Sequence, residues 1–211
     1  MNHWKKAVFI SLEGVDGAGK TTHITWLRDY LQQQQTLEVI FTREPGGTPI
    51  GEKMRTLVLS ETMQPDTEAL LLFAARAEHV QTVIQPALHA QKWVVSDRFT
   101  DASFAYQAGG RGIDATRLAA LEHWTLGELQ PDLTFLFDVP EQVSQARLQQ
   151  GRTQLDRFEQ EKSDFHARVR HAYLARAHAM PSRFAIIDGT QSIAQIQAQM
   201  WRVLHDRFGL A

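Results

Sequence analysis

The sequence predicts an α/β fold built on a five-stranded parallel sheet with helices on both faces, and three observations carry that prediction. Short apolar runs alternate with longer stretches of helical pattern along the 211-residue chain. Each run reads as buried on both faces, as strands covered by helices are. A glycine loop joins the first run to the first helical stretch, where sheets of this kind bind ligands at the carboxyl ends of their strands.

The first strand is expected over Ala7 to Leu12. It runs into Gly14-Val15-Asp16-Gly17-Ala18-Gly19-Lys20-Thr21, a complete G-x-x-x-x-G-K-T loop followed by a helix over Lys20 to Gln34. Backbone N–H groups of such a loop converge on phosphate oxygens at the positive end of the helix. Lys20 supplies charge to the β and γ phosphates, and the hydroxyl of Thr21 suits Mg²⁺, a hard cation that takes oxygen ligands. Strand, loop and helix in this order point to a bound nucleoside triphosphate.

A second strand, Leu37 to Phe41, ends in Thr42-Arg43-Glu44-Pro45-Gly46-Gly47-Thr48, and helices follow over Gly51 to Leu59 and Asp66 to Ala90. The third strand, Trp93 to Ser96, ends in Asp97-Arg98-Phe99, and a helix is expected over Asp114 to Leu126. The fourth, Leu133 to Phe137, ends at Asp138 before a helix over Glu141 to Gln150. Gly151 to Glu161 is polar and charged throughout and reads as a mobile segment. A helix over Glu161 to Ala179, a strand over Phe184 to Ile187 and a helix over Ile193 to Arg207 complete one domain spanning residues 1–211.

Composition narrows the function without naming it. With 43% hydrophobic residues the chain can bury a full core, and its formal charge of -2 gives no global attraction to nucleic acid or acidic membranes. The absence of cysteine rules out disulfides, Cys-ligated zinc, iron–sulfur clusters and thiol catalysis. The N-terminal apolar run is too brief for a signal peptide or a membrane span, so a cytoplasmic location is expected. A switch GTPase would need an Asn-Lys-x-Asp guanine reader, and none is present. Asp97 and Asp138 both fit an apolar run followed by an acid that supports Mg²⁺, and Asp97 is preferred because Arg98 beside it could hold a second anion. Together these strand ends favour a small-molecule kinase.

Five stretches now resemble the thymidylate kinase family nearly end to end. They are Glu13-Gly14-Val15-Asp16-Gly17-Ala18-Gly19-Lys20-Thr21-Thr22, Thr42-Arg43-Glu44-Pro45-Gly46-Gly47-Thr48, Phe73-Ala74-Ala75-Arg76, Asp97-Arg98 followed by Ala105-Tyr106-Gln107, and Asp156-Arg157-Phe158-Glu159-Gln160-Glu161. The resemblance implies a P-loop NTPase fold with a mobile lid at about residues 151–161. It implies a homodimeric enzyme that passes the γ-phosphoryl group of ATP to dTMP with Mg²⁺, giving dTDP. ATP would lie on residues 14–22, from Gly14 to Thr22, and the metal on Thr21 and Asp97.

For the acceptor, the resemblance implies that Phe73 stacks on thymine and that Arg76, three residues on, bonds the base edge. Taken alone, Phe73 amid leucines would read as core. Glu44, Ser103 and Gln107 correspond to positions around the nucleotide. Arg98 and Arg55 resemble clamps on the monophosphate, where a planar guanidinium meets two oxygens at once. Tyr106 resembles the residue that crowds the sugar C2′ and disfavours ribonucleotides. Asp16 resembles the acid at the 3′ side of the sugar, with Glu159 as its neighbour. Gly189, Thr190 and Gln191 follow the last strand and border adenine or form a plain turn.

The family divides by where its catalytic arginine lives. Position 17 is glycine here, which resembles the bacterial arrangement in which a closing lid supplies the arginine, with Arg157 placed ahead of Arg152. Arginine charge arriving on closure stabilises the oxygens of the transferring group. The catalytic set expected is therefore Lys20, Arg157, Arg152 and Asp16. Two alternatives stay open at this level: a kinase of another pyrimidine monophosphate, and a nucleotide-binding regulator that hydrolyses ATP slowly.

Overall fold

The computed structural model describes residues 7–34, 37–151, 156–161 and 163–210. Strands β1 (Phe9–Glu13), β2 (Val39–Arg43), β3 (Trp93–Asp97), β4 (Leu133–Asp138) and β5 (Phe184–Asp188) lie parallel in the order β2-β3-β1-β4-β5. Leu12 pairs in register with Asp97, and Arg43 pairs with the same residue from the other side. The carboxyl ends of β1, β3 and β2 therefore finish level, which brings the glycine loop, Asp97-Arg98 and Glu44 to one edge of the sheet.

Successive strand side chains point to opposite faces. Phe9 and Val94 pack with Val80, Ile84 and Phe99, whereas Ile10, Leu12 and Val95 join a larger cluster with Leu27, Leu31 and Met200. The central strands are buried as expected. The edge strands β2 and β5 are half-exposed, with Ile186 open to solvent, because each is flanked by one neighbour only.

Helices α1 (Lys20–Gln32), α2 (Pro49–Ser60), α3 (Pro65–His79) and α4 (Gln85–His89) follow in chain order. The start of α2 is written in Thr48-Pro49: Thr48 Oγ1 accepts from Gly51 N at 2.9 Å, and Pro49 has no N–H to leave unsatisfied. The long helix expected over 66–90 forms, but a π-helical turn at Val80–Ile84 divides it into α3 and α4. Pro86, lacking an N–H, sits just beyond that turn.

One element was not expected. Helix α5 (Thr100–Ser103) continues as π-helical turns over Phe104–Gly110 and carries Ser103, Tyr106 and Gln107. Beyond it lie α6 (Ala115–Leu126), capped by Asp114, α7 (Glu141–Gly151), α8 (Ser163–Ala179) and α9 (Ile193–Phe208). The helix expected from Glu161 begins at Ser163 instead, with residues 157–160 in a turn held by Asp156. Arg152 lies outside the described residues.

Candidate active site

The glycine loop takes a shape that side chains would obstruct. Gly14 has φ 140°, and a Cβ there would lie 2.6 Å from the carbonyl oxygen of Phe137. At Gly17, φ is 77° and a Cβ would run into the carbonyl oxygen of Ser144. Lys20 folds back over the loop and donates from Nζ to Gly14 O at 2.9 Å and Val15 O at 3.1 Å. Burial and the nearby Arg98 charge push its ammonium down to about 8, against the pull of Asp16.

Beside the loop, Asp16 has both carboxylate oxygens occupied. Arg98 Nη2 donates to Oδ1 at 2.6 Å, and the Tyr106 hydroxyl donates to Oδ2 at 2.9 Å. Burial alone would raise this carboxyl, but Arg98 and Lys20 outweigh it and hold the group well below the usual range. The Tyr106 phenol is pushed up by burial and so remains a donor. A carboxylate in a phosphate loop would repel phosphate; here its charge is turned aside onto Arg98.

Arg98 is itself held under strain. Its φ of 70° is uncommon for a residue with a side chain. Three hydrogen bonds keep it there: Arg98 N to Leu12 O at 3.0 Å, Ser96 Oγ to Arg98 O at 2.7 Å, and Phe99 N to Glu13 Oε1 at 2.7 Å. The Tyr173 hydroxyl accepts from Arg98 Nη1 at 3.1 Å and donates to Glu13 Oε2 at 2.8 Å. Glu13 is wholly buried, and its carboxyl is pushed up to about 8 by burial and by Asp101, against Arg98 and Tyr173. With Arg98 Nη2 also donating to the Tyr106 hydroxyl at 3.1 Å, these contacts leave Nε–H and one Nη1–H of Arg98 without a partner among the described residues.

A cleft opens beyond this cluster. Asp16, Arg55, Arg76, Arg98, Tyr106 and Gln107 line it, together with Glu44, Ser103, Leu72 and Phe158. Arg55 donates to Pro45 O at 3.0 Å. Burial, then the charges of Arg43 and Arg98, lower its guanidinium, which marks a crowd of positive charge suited to an anion. Arg76 is fixed by Nε to Glu44 Oε2 at 2.6 Å, Nη1 to Ser103 Oγ at 3.0 Å and Nη2 to Phe99 O at 3.3 Å. His79 Nδ1 holds the other Glu44 oxygen at 2.9 Å. One N–H on each Arg76 Nη has no partner among the described residues. Glu44 therefore acts on the cleft chiefly by aiming Arg76.

This geometry joins the glycine loop to a cleft lined by Arg55, Arg76 and Arg98 through one shared wall, and comparison with known proteins gives it a family. A profile described as Thymidylate kinase matches residues 12–200. The chain belongs to the thymidylate kinase family. It is 54% identical over 198 residues to a thymidylate kinase of Methylobacillus flagellatus, covering 94% of this chain and 97% of that protein. It is 55% identical over 192 residues to one of Bordetella petrii, covering 91% and 92% respectively. A solved thymidylate kinase from Ehrlichia chaffeensis superposes with a TM-score of 0.76 at 31% identity, covering 94% of this chain and 99% of that one.

Within this thymidylate kinase fold, three expected positions are corrected. Phe73 does not line the cleft: its ring is 1% exposed in a cluster with Ala69, Phe104 and Leu118, and it lies under Arg76, 4.7 Å from the guanidinium carbon. Leu72, one full turn before Arg76, is the apolar residue of that helix lining the cleft. Arg157 does not reach toward the phosphate loop. Its Nη2 donates to the buried Glu68 at 2.5 Å and its Nε to Val58 O at 3.1 Å, so in this structure it fastens residues 156–161 to α2 and α3. Glu159 accepts from Asp156 N at 2.9 Å and lines a depression with Ser144, Leu148 and His166, not the cleft.

Asp97 carries a buried oxygen, Oδ1, with no partner among the described residues. Thr21 and Thr22 stand exposed at the start of α1. Arg147 donates to Gly189 O at 2.9 Å, pinning the turn after β5 against the loop region. Sequence reasoning missed Glu13, His79 and Tyr173. Glu13 and His79 are polar residues amid helical or strand apolar neighbours, which is a usable signal, but nothing near Tyr173 in sequence points to Arg98.

Proposed function

We propose that this chain transfers the γ-phosphoryl group of ATP to dTMP, making dTDP, with donor and acceptor meeting across Asp16. The observation that carries the reading is the Asp16–Arg98–Tyr106 cluster: a phosphate-loop residue is bonded directly to residues lining the acceptor cleft. Membership of the thymidylate kinase family supports the same substrates.

Loop amides and Lys20 hold the phosphates of ATP. Arg98 and Arg55 hold the acceptor phosphate, using the donors that Asp16 and Tyr173 leave free. The open N–H groups of Arg76 meet a ring carbonyl of the base, and the Tyr106 ring fills the space where a ribose 2′-hydroxyl would stand. The attacking phosphate oxygen is already ionised near neutral pH, so no general base is required and the chemistry is positioning plus electrostatics. Thr21 and the unpartnered oxygen of Asp97 suit Mg²⁺, which when bound neutralises charge on the transferring phosphates.

A side chain at position 17 would collide with Ser144, which supports the arrangement with the arginine in the lid. With Arg157 committed to Glu68, we assign the transferring group to Arg152. The exposed apolar groove between α3 and α6, with Leu70 and Trp124 (55% and 81% exposed) on its rim, is assigned to a homodimer contact. Among the described residues no helix is long and apolar enough to cross a membrane, and we place the enzyme in the cytoplasm.

The test is ADP formation from ATP and Mg²⁺ with dTMP, dUMP, UMP, CMP or no acceptor. Strong dependence on dTMP is expected. Preference for another monophosphate would keep the kinase and discard the base assignment, and ADP release without any acceptor would sink the reading.

A further inference from the structure

A buried carboxylate that the reaction does not use lies behind the acceptor cleft. Glu68, in the first turn of α3, is 1% exposed. Its Oε1 accepts from Gln107 Nε2 at 2.7 Å and from Arg111 Nε at 3.4 Å, and its Oε2 accepts from Arg157 Nη2 at 2.5 Å. Gln107 lines the cleft, yet its Oε1 has no hydrogen-bond partner among the described residues and is not one of the sealed, unpartnered buried atoms.

The chemistry of the pair decides which way the amide faces. A carboxylate offers only acceptors, so Gln107 must turn its NH₂ toward Glu68 and leave its carbonyl oxygen for the cleft. We propose that Glu68 is a specificity-determining positioning residue: through Gln107 it presents an acceptor to the base, selecting a pyrimidine with N–H at ring position 3 over one with a bare nitrogen there. Thymine and uracil satisfy that acceptor; cytosine sets a lone pair against it. The inference rests on the dTMP reading above and adds a second determinant to Arg76, which reads the neighbouring ring substituent.

Replacing Glu68 by glutamine makes the idea testable because it inverts the pair. Arg157 and Arg111 both need acceptors, so the one remaining oxygen of the new side chain faces them and its NH₂ faces Gln107. Gln107 must then offer its oxygen inward and its NH₂ to the cleft, where cytosine N3 can accept it.

The experiment measures kcat/KM for dTMP and dCMP in wild type, Glu68→Gln, Gln107→Leu and Arg157→Ala, with thermal unfolding as the folding control. Glu68→Gln should lower the dTMP-to-dCMP ratio by about tenfold or more, the scale of one mismatched buried hydrogen bond, with dCMP use rising in absolute terms. Gln107→Leu should lower the same ratio, weakening dTMP and relieving the lone-pair clash with dCMP. Arg157→Ala removes the lid fastening without touching Gln107, so it should change both substrates by one factor and leave the ratio as it was.

A ratio within about twofold of wild type in a folded Glu68→Gln protein would overturn the proposal. Should that variant not fold, an unchanged ratio in Gln107→Leu would overturn it equally. A wild-type enzyme that ignores dTMP would fail the functional reading instead, so the two failures are distinct.

Discussion

Glu44→Ala gives the sharpest stability prediction, because removing its carboxylate strands the buried guanidinium of Arg76. The side chains of Glu44 and Arg76 are 2% and 3% exposed, and Arg76 Nε donates to Glu44 at 2.6 Å. Without the carboxylate, the guanidinium keeps only neutral acceptors, the hydroxyl of Ser103 and the carbonyl of Phe99. Leaving one member of a buried ion pair uncompensated costs about 3–5 kcal/mol. For a chain of this size that lowers Tm by roughly 6–20 °C. Adding Arg76→Met removes the stranded charge, so the double variant should lose less stability than the sum of the two single losses. Urea and thermal unfolding followed by circular dichroism measure all three, and KM for dTMP should rise in Glu44→Ala as Arg76 loses its aim. Stability within about 1 kcal/mol of wild type for Glu44→Ala, or strict additivity in the cycle, would refute the reasoning.

Other expectations follow from the same contacts. Because the Glu13 carboxyl is raised from 4.5 to about 8, the folded protein holds a proton there that the unfolded chain releases; the stability it contributes is complete below about pH 4.5 and lost as pH rises through 8. Glu13→Gln should therefore show a shallower fall in unfolding free energy from pH 5 to 8 than wild type, and an identical slope would contradict the burial argument. Arg152→Ala should lower kcat by about 10³ or more, as loss of a transition-state arginine does, while Arg157→Ala should mainly loosen residues 156–161; the reverse order in steady-state rates would restore Arg157 to the chemistry. Leu70→Glu should convert a dimer to a monomer in sedimentation velocity, and no change would clear the α3–α6 groove of that role.

The sheet, the glycine loop and the strand-end residues were legible because each depends on a short local pattern. The apolar runs place the strands, and Asp97-Arg98 and Glu44 follow directly from where the runs stop. What escaped depends on facing. Leu70, Leu71, Leu72 and Phe73 are all apolar, so nothing in the sequence says which one meets the cleft; the fold exposes Leu70, buries Phe73 in the core and turns Leu72 to the site. The helix from Thr100 to Gly110 was hidden by a weak pattern ending in two glycines. Arg157 read as free because its partner, Glu68, lies 89 residues away, and Tyr173 was silent because Arg98 is 75 residues from it. Long-range pairing of this kind leaves no local trace.

The cleft beside Asp16 is expected to hold dTMP by its phosphate on Arg98. Titration calorimetry of dTMP into wild-type protein and Arg98→Ala, without ATP, tests it most directly. One bound dTMP per chain in wild type, weakened roughly tenfold to a hundredfold by the substitution, is predicted from the loss of charge-assisted hydrogen bonds. Binding of equal strength in a folded Arg98→Ala protein would place the acceptor elsewhere and contradict the account.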